Sequence, residues 1–372
     1  MRILHLVNEG LFGGVLRVAL AESHYLNELG YESSVLLLFN TYMPNDVLLK
    51  YYRARVFHLR NNVFPRHLQD YVNPILRELL GKYLRVIKLG KDIDYLLLHN
   101  LNALPLAECI KHTTGAKIVL YIHNPTSPPT LRNIVGVKSK HKYNADIITK
   151  VDAVTTSSQQ MQRYIRKTFG ANAYVVPPGC EPSPELNQEK MKNVLVPQRI
   201  SLGKRVHIIA KLLSKCNSKF YTIFAGSSHY TTAKAIRLIK NSGFKHYKVI
   251  VNPSDETLTW LYKCALCSVS IIREPFGMYI IEAAAQGTSV VAPRHAGASE
   301  LFTHGVHGFF FEHEDELSEY VDHLVSEPEL AKKMGYEAWK MCRKRYTWPV
   351  SYTHLRAHET EADLVCRLLL EK

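Results

Sequence analysis

The chain has 372 residues, 46% of them hydrophobic and 22% charged, with a formal net charge of +14 at pH 7 and seven cysteines. That length exceeds what one ordinary core holds and predicts two domains, and the composition excludes a disordered or fibrous chain. An odd cysteine count without framework spacing excludes a disulfide-stapled scaffold, and the positive charge points to anionic small molecules, an anionic membrane surface or nucleic acid.

The first apolar run, "RILHLV", stops at Asn8 and Glu9. It is too short for a signal peptide, and no later run has the length a bilayer requires, so a cytoplasmic protein is expected. "RILHLV" reads as a buried strand, the turn Gly10-Leu11-Phe12-Gly13-Gly14 follows, and "VLRVALAESHYLNEL" has helical spacing with Gly30 as its stop. "SSVLLLF", "DYLLLHN", "KIVLYIHNP" and "DAVTTSS" read as further strands, with "ALPLAECIKHT" as a helix among them. After a Pro-rich junction, "VVPPGCEPSP", the rhythm resumes: helix "KRVHIIAKLLSK", strands "FYTIFAGSS" and "HYKVIVNPS", and helix "DETLTWLYKCA" opened by Ser254 or Asp255. Strand "LCSVSII", the segment "REPFGMYIIEAAAQG", strand "TSVVAP" and a helix around "ASELF" complete it. Alternating strands and helices predict parallel sheets, hence an α/β fold of two Rossmann-like doubly wound domains. The expected divisions are residues 1–178, residues 179–349 and a tail at 350–372. In such sheets ligands bind at the carboxyl ends of the strands, here in a cleft between domains.

Several residues at those ends have chemistry to offer. Backbone N–H groups of the Gly13–Gly14 turn open a helix and can approach an anion. The turn lacks the G-x-G-x-x-G spacing, which argues against a nicotinamide cofactor. His99 and His123 end neighbouring strands, positions compatible with a site or with a structural role. Arg199 and Lys204 flank a short loop before a helix, where two cations complement a diphosphate or make a solvated basic loop. Pro275 keeps Glu274 out of helical geometry, Gly277 permits close backbone approach, and Glu282 falls on the second turn of the following helix. Two carboxylates so spaced suit a sugar at Glu274 and a ribose at Glu282, with phosphates at the amides between. Asp92-Ile93-Asp94 has the D-x-D pattern of some metal-dependent sugar transferases but precedes a strand, and reads as loop charge. Cys264 and Cys267 form a lone CxxC and read as buried thiols rather than zinc ligands.

Together these residues resemble the retaining glycosyltransferases of family 4, with the two-domain GT-B fold, over nearly all of residues 1–349. The most specific match is E-x7-E, Glu274 to Glu282, followed by "EAAAQGTSVVA". Arg199 and Lys204 keep the five-residue separation of the family's "GR…KG" element, with Gln198 and Arg205 at its glycine positions. Gly13, Gly14 and Arg17 match its G-G-x-x-R turn, and "VVPPGCE" its domain junction. "HAGASELFTHGVHGFFF" matches its "GGIPEVV" region through Gly297, Ala298 and Glu300, with Ala298 at a glycine position. The resemblance implies a nucleoside-diphosphate sugar donor on the C-terminal domain and the acceptor on the N-terminal one. Arg199 and Lys204 would hold the diphosphate without an obligatory metal, Glu282 the ribose, and Glu274, Phe276 and Gly277 the transferred sugar. His123 would lie near the reacting centre and Gly13–Gly14 near the donor. No cofactor is implied.

The acceptor is expected to be a glycan, a lipid-linked species or a small molecule. Residues 73–91, "NPILRELLGKYLRVIKLGK", combine an apolar stripe with basic residues, as a sheet-packing helix does. The same stretch would also serve for peripheral contact with anionic lipid at the inner membrane face. Residues 351–372 read as a foreign string of the kind translated from sequencing-adapter DNA, and carry no functional expectation. Other classes remain in view: a GT-B UDP-sugar 2-epimerase, or a basic nucleic-acid-associated protein, for which no zinc-finger, helix-turn-helix or stacking-aromatic motif is present.

Overall fold

The computed structural model of the protein describes residues 1–7, 13–38, 51, 53–58, 92–99, 103–124, 148–186 and 189–350. They form two compact units, one ending at Val176 and the other beginning at Pro177. Residues 8–12, 73–91 and 351–372, on which some of the readings above rest, lie outside the described residues.

The first unit contains β1 (Arg2–Val7), α1 (Gly14–Glu28), β2 (Glu32–Leu37), β3 (Arg55–His58), β4 (Tyr95–Leu98), α2 (Leu104–Thr114), β5 (Lys117–Ile122), β6 (Ala153–Thr156), α3 (Gln159–Phe169) and β7 (Tyr174–Val175). Its strands are parallel in the order β3-β2-β1-β4-β5-β6-β7. Leu4, Leu6, Leu96, Leu98, Ile118 and Leu120 enter the core on one face, while Ile3, Leu97, Val119 and Ala153 pack with Leu26 of α1 on the other. With apolar layers on both sides there is no solvent face, which is why these strands read as continuous apolar runs. α1 ends where expected: Gly30 takes φ 89° and its N–H donates to the Asn27 carbonyl at 3.2 Å.

The second unit contains β8 (Met191–Pro197), α4 (Val206–Leu213), β9 (Tyr221–Gly226), α5 (Thr232–Lys240), β10 (Tyr247–Val251), α6 (Asp255–Cys264), β11 (Ala265–Val269), α7 (Met278–Ala285), β12 (Ser289–Pro293), β13 (Gly308–Phe311), α8 (Glu316–Ser326) and α9 (Pro328–Arg345). Its sheet is also parallel, in the order β10-β9-β8-β11-β12-β13. Along β8 the neighbours alternate between layers: Val194 and Val196 enter one core, Leu195 the other. Ser254 caps α6, its Oγ accepting the Thr257 N–H at 3.1 Å. The junction is pinned within this unit: Cys180 N–H donates to the Tyr346 carbonyl at 2.7 Å, and a Cβ on Gly179 would lie 2.5 Å from the Trp348 backbone.

Some boundaries differ from the sequence reading. Arg205 has φ 53°, a left-handed residue that cannot continue a helix backwards, so α4 begins at Val206 and leaves Lys204 in the preceding turn. The helix expected around Ala298 is a 3₁₀ turn, Gly297–Leu301. Asp92 and Asp94 sit at the amino end of β4, where they bind the Arg2 side chain and the Arg2 N–H at 2.9 and 2.7 Å. That is the opposite end of the sheet from the carboxyl edge. Cys264 and Cys267 are buried and in no disulfide.

Each sheet reverses its strand order once, between β1 and β4 and between β8 and β11. A parallel sheet opens a crevice at the carboxyl ends of such a pair, because the connections leave in opposite directions there.

Candidate active site

In the second unit, the loops after β8 and β11 flank that crevice, and both carry residues singled out by sequence. Lys204, after β8, donates its Nζ to the Glu274 carboxylate, after β11. Their side chains are 33% and 22% exposed, so the pair is reachable from solvent yet partly desolvated. Arg199 is half-buried at the end of β8, and its guanidinium has no hydrogen bond or ion pair among the described residues. A Cβ on Gly226 would lie 2.0 Å from the Gln198 carbonyl, so glycine lets the end of β9 press against the backbone that presents Arg199.

The loop carrying Glu274 is held by main chain. Gly297 N–H donates to the Glu274 carbonyl at 3.0 Å and Ala298 N–H to the Phe276 carbonyl at 2.6 Å. Because the amides do this work, alanine at position 298 serves as well as glycine. Gly277 turns the chain into α7 at φ 92°, ψ 68°, a conformation that favours glycine, and Phe276 is buried beneath it. Glu282 lies one turn further along α7, where its Oε2 accepts the Tyr262 hydroxyl at 3.0 Å. Structure thus joins Lys204 to Glu274 and ties Glu282 to Tyr262. Arg205 is not a partner of this group: its guanidinium makes a two-pronged pair with Glu314, Nη2 to Oε2 at 2.9 Å.

In the first unit, Gly13 is the residue preceding α1, with extended φ −150°, and its carbonyl accepts the Arg17 N–H at 3.0 Å. Gly14 is exposed, and a Cβ there would meet nothing within 4 Å among the described residues. His123 follows β5 and its Nε2 lies 2.9 Å from His99 Nδ1. His99 Nε2 lies 3.0 Å from His5 Nδ1, and His5 Nε2 lies 3.1 Å from Ser33 Oγ. Glu22 of α1 brings Oε2 to 3.6 Å from both His5 Nδ1 and His99 Nε2. Burial holds His5 and His123 near a pKa of about 3 and raises Glu22 to about 8. His5 and Glu22 were missed in the sequence; the available signal was a histidine and a glutamate on otherwise apolar faces.

Two family profiles match end to end: Glycosyltransferase Family 4 over residues 12–183 and Glycosyl transferases group 1 over residues 181–341. The chain belongs to the GT-B glycosyltransferases of this family. Curated relatives match over part of their length. An uncharacterized glycosyltransferase of Methanocaldococcus jannaschii is 27% identical over 43% of each chain. A probable sucrose-phosphate synthase of Thermosipho melanesiensis is 22% identical over 58% of this chain and 54% of its own. The chain therefore spans about half the length of those relatives. Solved structures match throughout. Anabaena HepE in complex with UDP and glucose has a TM-score of 0.75 at 18% identity, covering 96% of this chain and 99% of its own. A sucrose-phosphate synthase of Thermosynechococcus elongatus has 0.76 at 16% identity, with 96% and 98% covered. These structural likenesses establish the fold of the glycosyltransferase. Among its described residues, no helix is long and apolar enough to cross a membrane.

Proposed function

We propose that this glycosyltransferase moves a sugar from a nucleoside-diphosphate donor to a glycan, lipid-linked or small-molecule acceptor with retention of anomeric configuration. The observation that carries the reading is the Lys204–Glu274 pair between the loops after β8 and β11. HepE, whose structure contains UDP and glucose, makes a UDP-sugar the first donor to test.

In this reading the Glu274 carboxylate exchanges the Lys204 ammonium for sugar hydroxyls, and Lys204 joins Arg199 at the diphosphate. Two cations compensate the negative charge that grows on the leaving group, the task an obligatory metal would otherwise perform. Glu282 takes the ribose hydroxyls, and Phe276 and Gly277 bound the sugar through their backbone. The bond from the anomeric carbon to the phosphate oxygen breaks and a bond to the acceptor oxygen forms. The acceptor proton passes to the leaving phosphate, so no protein nucleophile is required. His123 and the Gly13–Gly14 turn are the contributions of the first unit, assigned by the family resemblance. Membrane contact through residues 73–91 is a separate part of the proposal, tested by co-sedimentation with anionic vesicles at low salt.

The test is transfer from a panel of UDP-, GDP- and ADP-sugars, with product configuration read by proton NMR. Lys204→Met and Glu274→Gln should each lower kcat by about 100-fold or more, the cost of removing one preorganised charge or hydrogen-bonding group. Wild-type turnover in either variant, or an inverted product, overturns the proposal.

A further inference from the structure

Three histidines of the first unit, His5, His99 and His123, lie on one face at the carboxyl ends of the adjacent strands β1, β4 and β5. His5 pairs in register with Leu97, and Leu97 with Val119, so His5, His99 and His123 all project toward the α1 side, by the two-residue period of a strand. On that face Ile3, Leu97 and Val119 are core residues; the histidines succeed them toward the carboxyl edge. His5 and His99 are 0% and 1% exposed and Glu22 5%, so each polar atom there needs a partner. Among the described residues Glu22 Oε2 has none within hydrogen-bonding distance.

Two arrangements compete. His5 Nδ1, His99 Nε2 and Glu22 Oε2, separated by 3.0, 3.6 and 3.6 Å, would admit a metal ion at their centre. The ring orientations decide against it. Ring centroids of His5 and His99 are 5.3 Å apart with planes 17° from parallel, and those of His99 and His123 are 5.2 Å apart at 19°. In both links this separation exceeds the N···N distance by two full ring radii, which requires both nitrogens to lie on the line joining the ring centres. The lone pairs therefore point at each other, as in N–H···N hydrogen bonds, and not at a third point where an ion would sit.

We propose that Glu22, His5 and His99 are positioning residues that form a proton relay ending on His123, in which ionisation of Glu22 sets whether His123 Nδ1 carries a proton. While Glu22 is ionised each N···N link holds one proton, so the links run in a common sense. With Glu22 ionised, His123 Nε2–H donates to His99 Nδ1, His99 Nε2–H donates to His5 Nδ1, and His123 Nδ1 is a bare lone pair. A proton arriving at His123 Nδ1 releases the Nε2 proton to His99 Nδ1, and His99 releases its Nε2 proton to the Glu22 carboxylate. The chain ends one proton richer, held on Glu22 as O–H, with His123 Nδ1–H as a donor. Glu22 Oε2 is equidistant from the two nitrogens whose shared proton has left, and its O–H refills that link. Burial supports this distribution: it disfavours imidazolium at His5 and His123 and raises the carboxyl to about 8. Among the described residues, the other groups facing the relay are Ser33 on β2 and Tyr121 on β5. Ser33 Oγ can accept or donate. Tyr121 donates its hydroxyl to the Val176 carbonyl at 2.6 Å, and burial raises its pKa well above the usual value.

The value of the relay to catalysis rests on His123 serving the transferase as proposed; the relay itself does not, and its test reads no turnover. Full-length protein labelled with ¹⁵N-histidine is titrated from pH 6 to 9, and the tautomer of His123 is read from long-range ¹⁵N–¹H correlations. His123 Nδ1 should change from N–H to lone-pair character as pH rises through about 8. In Glu22→Gln, with folding verified by circular dichroism, that change should vanish; in His99→Gln the same loss should follow. A pH-independent His123 in the wild type, an unchanged transition in Glu22→Gln, or one equivalent of bound zinc in the purified protein overturns the proposal.

Discussion

Replacing Glu22 by Gln tests the energetic cost of placing a carboxyl beside the buried histidines. Burial raises the Glu22 pKa from 4.5 to about 8, so folding disfavours its ionised form. The unfolded chain releases this proton near pH 4.5, whereas the folded protein keeps it until about pH 8. The contribution of Glu22 to stability is therefore fully present below the unfolded value and falls as pH rises, until both states are ionised. At about 1.4 kcal/mol per pKa unit, the loss is roughly 1 kcal/mol at pH 5, about 3 at pH 7 and approaches about 5 above pH 8. Gln has the same shape and no charge, so its variant escapes this loss. Urea denaturation at pH 5 and pH 7 should show the stability difference, variant minus wild type, growing by about 2 kcal/mol in favour of the variant. The histidines act in the other direction. With pKa values lowered by burial, they add stability above about pH 6.5 that is lost as pH falls toward 3. That trend is common to both proteins and cancels in the difference. A stability difference that is the same at both pH values refutes the reasoning, because it would mean that Glu22 ionises in the fold as it does in water.

Two further substitutions weigh backbone conformation at the donor side. Gly277→Ala places a Cβ at φ 92° and 3.2 Å from the Tyr279 ring, so it should cost about 1–2 kcal/mol and lower the melting temperature by several degrees in a thermal scan. Arg205→Gly relieves a left-handed residue at φ 53° but removes the pair with Glu314, whose side chains are 42% and 39% exposed. Relief of about 1 kcal/mol and loss of a half-exposed pair, itself about 0–1 kcal/mol, should leave stability within about 1 kcal/mol of wild type by urea titration.

The second unit was the more legible of the two, because its site residues follow one another along short loops. Glu274, Gly277 and Glu282 are separated by a single turn and the start of a helix, and local rules place them: Pro275 excludes helix at Glu274, and Gly277 supplies the positive φ. Arg205 was harder. Only its backbone angle explains why glycine is favoured there, and only the fold brings Glu314, more than a hundred residues away, to meet its side chain. Strands β3, β7, β8 and β13 and helices α3, α5, α8 and α9 were not singled out, although "NVLVP" has the apolar run of a doubly covered strand.

The histidine relay was illegible for a physical reason. Its members come from β1, β4, β5 and α1, and β1 lies beside β4 only because the strand order reverses there. In a sequence window each looks like one polar residue in an apolar run, since neither period nor spacing connects His5 to His99. The second unit obeys the same logic at its own reversal, between β8 and β11. There Gln198 Nε2 donates to Ser270 Oγ, both buried, just behind the loops that bring Lys204 to Glu274. A strand reversal exposes carboxyl ends with no connection crossing above them, so polar residues there can be partly buried and still reach a ligand. Apolar strands that end in histidine, glutamine or serine are thus the mark to seek, and their partners lie on whichever strand the topology places alongside.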